Sequence, residues 1–196
     1  MIKRLFDIIF ASIGLICLSP LLILVSLAII FNAGFPVLYR QVRVGRFGKE
    51  FTLYKFRTMH KDADQKGLLT VGGRDPRVTG VGYYLRKFKI DEFPQLFNVI
   101  LGDMSIVGPR PEVKKYVDMY SEEQRQVLSV RPGITDYASI KFVNENDILS
   151  QSENPENTYI HEVMPVKLKL NLKYIKDKSL STDMGIIFET FKRILS

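Results

Sequence analysis

No charged residue stands between Asp7 and Arg40, and residues 8–31 form an almost wholly apolar run. As one helix those residues extend about 36 Å at about 1.5 Å each, against a hydrocarbon core of about 30 Å. Length alone therefore suggests a membrane-crossing segment. Two features point to another course. Ser19-Pro20 falls in the middle of the run, where proline removes a backbone donor and kinks a helix. Basic residues flank both ends, Lys3 and Arg4 before and Arg40, Arg43 and Arg46 after, so the positive-inside rule has no asymmetry to read. A helix that enters the bilayer, bends at Ser19-Pro20 and returns to the same face keeps both flanks in the cytoplasm. This re-entrant course is the expectation for residues 1–36, with a straight transmembrane anchor as the alternative. A signal peptide fits less well, because the run is too long and no small-residue cleavage site ends it. The carbonyl freed by Pro20 needs a partner, which the Ser19 or Ser12 hydroxyl can supply. Asp7 and Arg4 share a helical face and are expected to pair at the interface.

Residues 37–196 are expected to form one cytoplasmic domain. The formal charge of +7 invites acidic partners: nucleotide phosphates, anionic lipid head groups or nucleic acid. No zinc-finger spacing, basic zipper or aromatic RNA-binding signature occurs, so no nucleic-acid partner is expected. Cys17 is the only cysteine, which excludes disulfides within the chain and thiolate metal sites. His60 and His161 are far apart in sequence, and nothing suggests a histidine zinc site.

The pattern predicts an α+β fold, mostly helical. Residues 36–41 and 50–56 read as a short β-hairpin around the Gly45 to Gly48 turn, from whose end Lys55 and Arg57 project. Residues 60–82 read as a loop. Gly72-Gly73 lacks the Gly-Lys-Ser/Thr ending of a phosphate loop and marks a turn. Residues 111–130 read as one helix, ended by Arg131-Pro132-Gly133. Residues 166–174 alternate like an exposed strand, yet Val166, Leu170 and Tyr174 also fall on one helical stripe. The last segment is an amphipathic helix, with Met184, Ile187, Phe188, Phe191 and Leu195 on its apolar side. It either packs on the core or lies in a membrane interface.

Residues 84–111 carry the chemistry. Phe93, Leu96, Phe97, Ile100 and Leu101 follow helical spacing, with Pro94 in the first turn and Gly102 at the end. Asp91 and Glu92 then sit at a helix N-terminus, where the macrodipole favours their ionised forms. The same end attracts phosphate, helped by Arg86, Lys87 and Lys89 upstream and by Arg110 downstream. Pro109 and Pro111 hold Arg110 between two rigid residues. The plainer reading makes Asp91 a helix cap and the cations solvated surface residues.

These motifs resemble those of the small monotopic phosphoglycosyl transferases, bacterial sugar transferases that begin glycoconjugate assembly on a lipid carrier. The resemblance covers almost the whole chain. It rests on Lys3-Arg4 with Asp7, the Ser19-Pro20 bend, Tyr54-Lys55-Phe56-Arg57-Thr58-Met59, Asp75-Pro76-Arg77 and Leu85-Arg86-Lys87. It continues with Asp91-Glu92 before Pro94-Gln95-Leu96, Gly102-Asp103-Met104-Ser105, Gly108-Pro109-Arg110-Pro111, and Arg131-Pro132-Gly133-Ile134-Thr135. It implies transfer of a phosphosugar from a UDP-sugar to a polyprenyl (undecaprenyl) phosphate, releasing UMP, with magnesium. The expected setting is the cytoplasmic face of the bacterial inner membrane. On this resemblance Asp91 is the nucleophile and a magnesium ligand, and Glu92 assists as a base or holds a cation. Lys55, Arg57, Arg86, Pro109, Arg110, Pro111 and Arg131 are then the substrate contacts. The resemblance also favours a helix for residues 166–174 and amphipathic helices at the membrane interface.

One stretch departs from the family pattern. After Thr135 many relatives continue Gly-(Leu/Trp)-Ala-Gln-Val-Asn-Gly-Arg-Asn, whereas this chain reads Asp136-Tyr137-Ala138-Ser139-Ile140-Lys141-Phe142-Val143-Asn144. Lys141 can replace the missing arginine's charge, though not its forked geometry. An acidic residue of the following helix aligns with Asn171. Two rival readings remain open: a non-catalytic membrane scaffold using its basic surface, and a phosphohydrolase passing the same aspartyl phosphate to water.

Overall fold

The apolar run becomes one helix, α1 (Ile2–Ala33), in a computed structural model that describes residues 2–61, 63, 67, 69–72 and 75–195. The helix continues through Ser19-Pro20, where the sequence suggested two arms. The Ser19 hydroxyl donates to the Ile16 carbonyl at 2.8 Å, which is the acceptor that Pro20, lacking an N–H, leaves free.

One side of α1 is fastened to the rest of the protein on both sides of Pro20. Arg4 donates to the carbonyls of Val99 at 2.6 Å and Ile100 at 3.1 Å. Asp7 accepts from the Ser105 hydroxyl at 2.8 Å and from the Ile106 N–H at 3.1 Å. The Arg4–Asp7 pair expected from the sequence does not form, because each side chain satisfies backbone groups of the neighbouring body instead. Ala11 packs with Leu53, Val99 and Met104, while Val25 and Ile29 pack with Phe56 and Leu85. Asn32 accepts from the Val81 N–H at 3.3 Å. Positions 4, 7, 11, 25, 29 and 32 fall on one helical stripe, so both ends of α1 touch the same body. The opposite side is bare and apolar: Ile16 is 73% and Phe31 86% exposed.

Asp7 is buried, so its removal strands the Ile106 N–H and the Ser105 hydroxyl away from water. Asp7→Ala is expected to lower stability by about 2–3 kcal/mol, as read by thermal unfolding in lipid discs. Asp7→Asn keeps an acceptor and should lose less.

The chain leaves α1 into the hairpin β1 (Leu38–Val44) and β2 (Glu50–Phe56), paired antiparallel from Leu38 opposite Phe56 to Val44 opposite Glu50. Helices α2 (Gly80–Lys87) and α3 (Gln95–Leu101) follow. A second pair that the sequence did not suggest joins β3 (Ser105–Val107) and β4 (Gly133–Thr135) in parallel. Three-residue strands carry too little alternation to be recognised. Two glycines permit this pairing: a Cβ on Gly133 would lie 2.1 Å from the Gly108 nitrogen.

The single helix expected over residues 111–130 is divided into α4 (Lys114–Val117), α5 (Glu122–Arg125) and a 3-10 turn at Gln126–Ser129. The cause is Ser121, whose hydroxyl and the Gln124 side chain form a capping box that restarts the helix. Short helices α6 (Tyr137–Lys141), α7 (Glu145–Ser150) and α8 (Pro155–Thr158) lead through a π turn into α9 (Met164–Asp177). The ambiguous residues 166–174 are thus helical, and they bury Leu168, Asn171 and Tyr174 at intervals of three.

The last helix, α10 (Leu180–Leu195), packs inward through Asp183, Ile186 and Ile187. Asp183 accepts from Tyr174 at 2.8 Å and pairs with Lys3. Of the apolar face expected from sequence, only Ile187 turns inward; Met184, Phe188 and Phe191 are exposed. The Leu195 side chain and Gly73 lie outside the described residues.

Candidate active site

The local path after α2 decides where Asp91 and Glu92 point. Thr79 caps α2 by accepting from the Gly82 N–H at 2.9 Å. The chain then reverses at Lys89, whose φ of 56° is left-handed and unusual for a side chain of this kind. Ile90–Glu92 follows as a 3-10 turn, and α3 begins only at Gln95, with Pro94 at its cap position and no side-chain cap. Asp91 therefore does not cap the helix. It is buried, and among the described residues nothing donates a hydrogen bond to its carboxylate.

Glu92 has the opposite surroundings. The Arg110 guanidinium grips both of its oxygens, with Nη1 3.0 Å from Oε2 and Nη2 on Oε1, while Lys55 Nζ reaches Oε1 at 3.3 Å. Burial would raise the Glu92 pKa, but Arg110 and Lys55 outweigh it and hold the carboxyl well below the usual range. At Asp91 burial wins: with the charge of Glu92 beside it, the pKa is pushed up against the opposing pull of Lys55, Arg86 and Lys89. Two adjacent carboxyls thus acquire different characters, one gripped by cations with its pKa lowered and one buried with its pKa raised. The free-base role considered for Glu92 does not suit this geometry, since both oxygens are committed to cations.

The cations are fixed as well. Glu92 pushes the Arg110 pKa up, and the Arg110 backbone N–H donates to Asp136 at 3.1 Å. Arg86 donates to the Thr70 hydroxyl at 2.6 Å. Burial lowers the pKa of both Arg86 and Lys55. Lys55, Arg86, Asp91, Glu92, Arg110 and Pro111 line one cleft of ≈ 580 Å³.

Four residues expected at the site lie elsewhere. Arg57 holds the end of α1, donating to the carbonyls of Ala33 at 2.7 Å and Gly34 at 2.5 Å. Pro109 is turned inward and its carbonyl accepts from the Gly133 N–H at 3.0 Å. Arg131 donates to the Gly102 carbonyl at 2.8 Å, closing the C-terminus of α3. Lys141 is exposed, with Nζ 5.8 Å from the centre of the Phe142 ring. Asn171 is buried in α9, and its Oδ1 has no hydrogen bond.

The cleft also gathers residues the sequence did not single out for it. Arg43 lies 3.4 Å from Glu112, which accepts from the Tyr159 hydroxyl at 2.5 Å, and Lys167 pairs with Glu145 at 2.9 Å. For Gln41 and Arg43 a signal existed. They alternate along β1 on the face that carries Lys55 of β2. Tyr159 and Lys167 reach the cleft only through tertiary packing.

Among the described residues no group of three acidic, histidine or cysteine side chains gathers to hold a metal. Magnesium needs less, since it commonly takes one or two carboxylates with substrate phosphates and water. Asp91, with no competing hydrogen bond among the described residues, suits that donor set; Glu92, gripped by Arg110 and Lys55, does not.

The family model for bacterial sugar transferases matches residues 1–196. The uncharacterized sugar transferase EpsL of Bacillus subtilis is 39% identical over 195 residues, covering 99% of this chain and 87% of the relative. The UDP-N-acetylgalactosamine-undecaprenyl-phosphate N-acetylgalactosaminephosphotransferase of Aeromonas hydrophila is 37% identical over 200 residues, covering 100% of this chain and 44% of its own length. The UDP-glucose:undecaprenyl-phosphate glucose-1-phosphate transferase of Escherichia coli is 35% identical over 198 residues, with coverages of 97% and 39%. This chain thus spans less than half of the last two proteins. With the family model matching the sequence from end to end and a relative 39% identical along 99% of it, the chain belongs to the bacterial sugar transferase family.

Proposed function

We propose that this enzyme transfers a phosphosugar from a UDP-sugar to a polyprenyl phosphate and releases UMP. The observation that carries the reading is Asp91: a buried carboxylate that receives no hydrogen bond among the described residues and lines a cleft with Lys55, Arg86 and Arg110. The names of the relatives in Aeromonas hydrophila and Escherichia coli support both the donor and the acceptor.

In the first step an Asp91 oxygen attacks the sugar-bearing phosphorus, the bond from that phosphorus to the bridging oxygen breaks, and UMP departs. In the second, an oxygen of the lipid phosphate attacks the same phosphorus, breaks its bond to Asp91 and restores the carboxylate. The product is a sugar linked through a diphosphate to the lipid. Anion attacks anion in both steps, so charge must be neutralised in advance. Arg110 and Lys55, locked on Glu92, and Arg86, held by Thr70, form a cationic wall that needs little reorganisation. A bound magnesium ion, held by Asp91 and the donor phosphates, would withdraw further negative charge.

The same reading places α1 as a re-entrant, monotopic membrane element with the catalytic body on the cytoplasmic face. Its support is the attachment of residues near both ends of α1 to one body, which a straight crossing would put on opposite sides of the membrane. Single cysteines replacing Ile2 and Lys49, in a Cys17→Ser background, should label from the same side. Labelling from opposite sides would restore the straight anchor.

The deciding assay is UMP release in lipid discs with magnesium and a panel of UDP-sugars, with and without polyprenyl phosphate. Sustained release is expected only with the lipid and one sugar. Sustained release without the lipid would make the enzyme a hydrolase, and silence across the panel from folded protein would favour the scaffold.

A further inference from the structure

We infer that Asp136 is a positioning residue for the reaction: it fixes the main chain of Arg110 and, through it, the guanidinium that meets the reacting phosphates. This inference rests on the transferase reading above.

Pro109-Arg110-Pro111 has a single main-chain donor, because neither proline carries an N–H. That donor, the Arg110 N–H, lies 3.1 Å from Asp136 Oδ2. The other oxygen, Oδ1, accepts from the Ser139 N–H at 2.6 Å and caps α6. Asp136 itself is fully buried. One carboxylate thus divides its oxygens between the loop that presents Arg110 and the helix whose Ala138, Ser139 and Ile140 line the cleft. Bonds to a charged acceptor are roughly twice as strong as neutral ones, so the two segments are held at one spacing.

The carboxylate stands on a fixed platform. It follows Thr135, the last residue of β4, whose carbonyl accepts from the Gly108 N–H at 3.0 Å. The Thr135 hydroxyl meets that of Thr190 on α10 at 2.7 Å. At its far end Arg110 grips Glu92, and its Nη1 is 3.4 Å from the Ile134 carbonyl. An arginine held only at its tip leaves its main chain free to shift, whereas one held at both ends keeps a single placement. The stakes are large, since a misplacement of about 1 Å at an active site can cost about a hundredfold in rate. Asp136 also opens the stretch in which this chain departs from the family pattern, and a glycine in its place supplies neither side-chain bond.

The test removes one of the two bonds. Serine caps a helix about as well as aspartate, but Asp136→Ser brings one oxygen, which the Ser139 N–H takes, and leaves the Arg110 N–H without its acceptor. In lipid discs kcat for UMP release should fall about tenfold while the donor KM stays within about twofold. In an Arg110→Met background the same substitution should cost nothing further, because a residue that acts through Arg110 has no effect once the guanidinium is gone. An equal fall in both backgrounds would overturn the inference, as would an unchanged kcat. Asp136→Asn, which keeps the shape but turns an amide N–H2 toward one of the two donors, repeats the cycle where the serine variant fails to fold.

Amide hydrogen exchange supplies a readout that needs no turnover. Exchange within Pro109-Arg110-Pro111 belongs to Arg110 alone, so fragment mass spectrometry reads this bond directly. The Arg110 N–H should exchange at least about tenfold faster in Asp136→Ser, with the Ser139 N–H still protected. Faster exchange in a protein that turns over no UDP-sugar would keep the link and defeat the transferase. A working transferase whose Arg110 exchange is unchanged by the substitution would defeat the link alone.

Discussion

Asp91→Asn should abolish sustained UMP release, by at least about ten-thousandfold, while the protein folds as well as before or better. The two halves of this result have one cause. Burial, together with the charge of Glu92 beside it, pushes the Asp91 pKa up, and among the described residues no hydrogen bond reaches its carboxylate. A carboxyl whose pKa rises on folding is destabilised in its charged form relative to the unfolded chain. An amide of the same shape removes that cost along with the nucleophile. Thermal unfolding in lipid discs should show an unchanged or higher midpoint for Asp91→Asn. A pronounced fall would mean that the carboxylate supports the fold, as the capping alternative requires, and would remove the argument that its strain serves reaction.

Arg110→Met should behave in the reverse way, losing both stability and activity. Glu92 would keep only Lys55 as an ionic partner, in a site where its side chain is 12% exposed. Breaking such a pair leaves a desolvated charge, and a loss of about 3 kcal/mol is expected. That figure takes the lower side of the range because the guanidinium is 29% exposed. UMP release should fall by at least about a hundredfold, since a preorganised donor to the phosphate is gone. Adding Glu92→Gln to Arg110→Met should recover much of the stability, because the uncompensated charge has been removed, yet none of the activity. Recovery of both would show that Arg110 acts on folding alone.

The residues legible in the sequence were those whose roles depend on near neighbours. The apolar run, the hairpin turn, the helix ending at Gly102 and the Asp91-Glu92 pair between basic residues all declare themselves within about ten residues. Ser19 as the partner of the carbonyl freed by Pro20 was legible for the same reason. What was not legible depends on distant contacts. Arg57 and Arg110 both belong to motifs rich in proline or cations, but one holds the carbonyls of Ala33 and Gly34 and the other grips Glu92. No spacing rule separates those fates. Lys141 looked like a substitute for a missing arginine, yet it projects to solvent. Ser121 divides the helix expected over residues 111–130, and here a local signal existed: Ser121 and Gln124 have the three-residue spacing of a capping box.

The attachment of α1 along both of its ends bears on how the protein can be handled by a cell. Leu53, Phe56, Leu85, Val99 and Met104 are covered by this helix, and the Ser105 hydroxyl and Ile106 N–H depend on Asp7. Cutting the chain after α1 and stripping the helix away would open that seam to water. Proteolysis after α1 therefore cannot liberate an intact remainder: the long apolar helix is also a wall of the body it would be cut from, and the two are lost together.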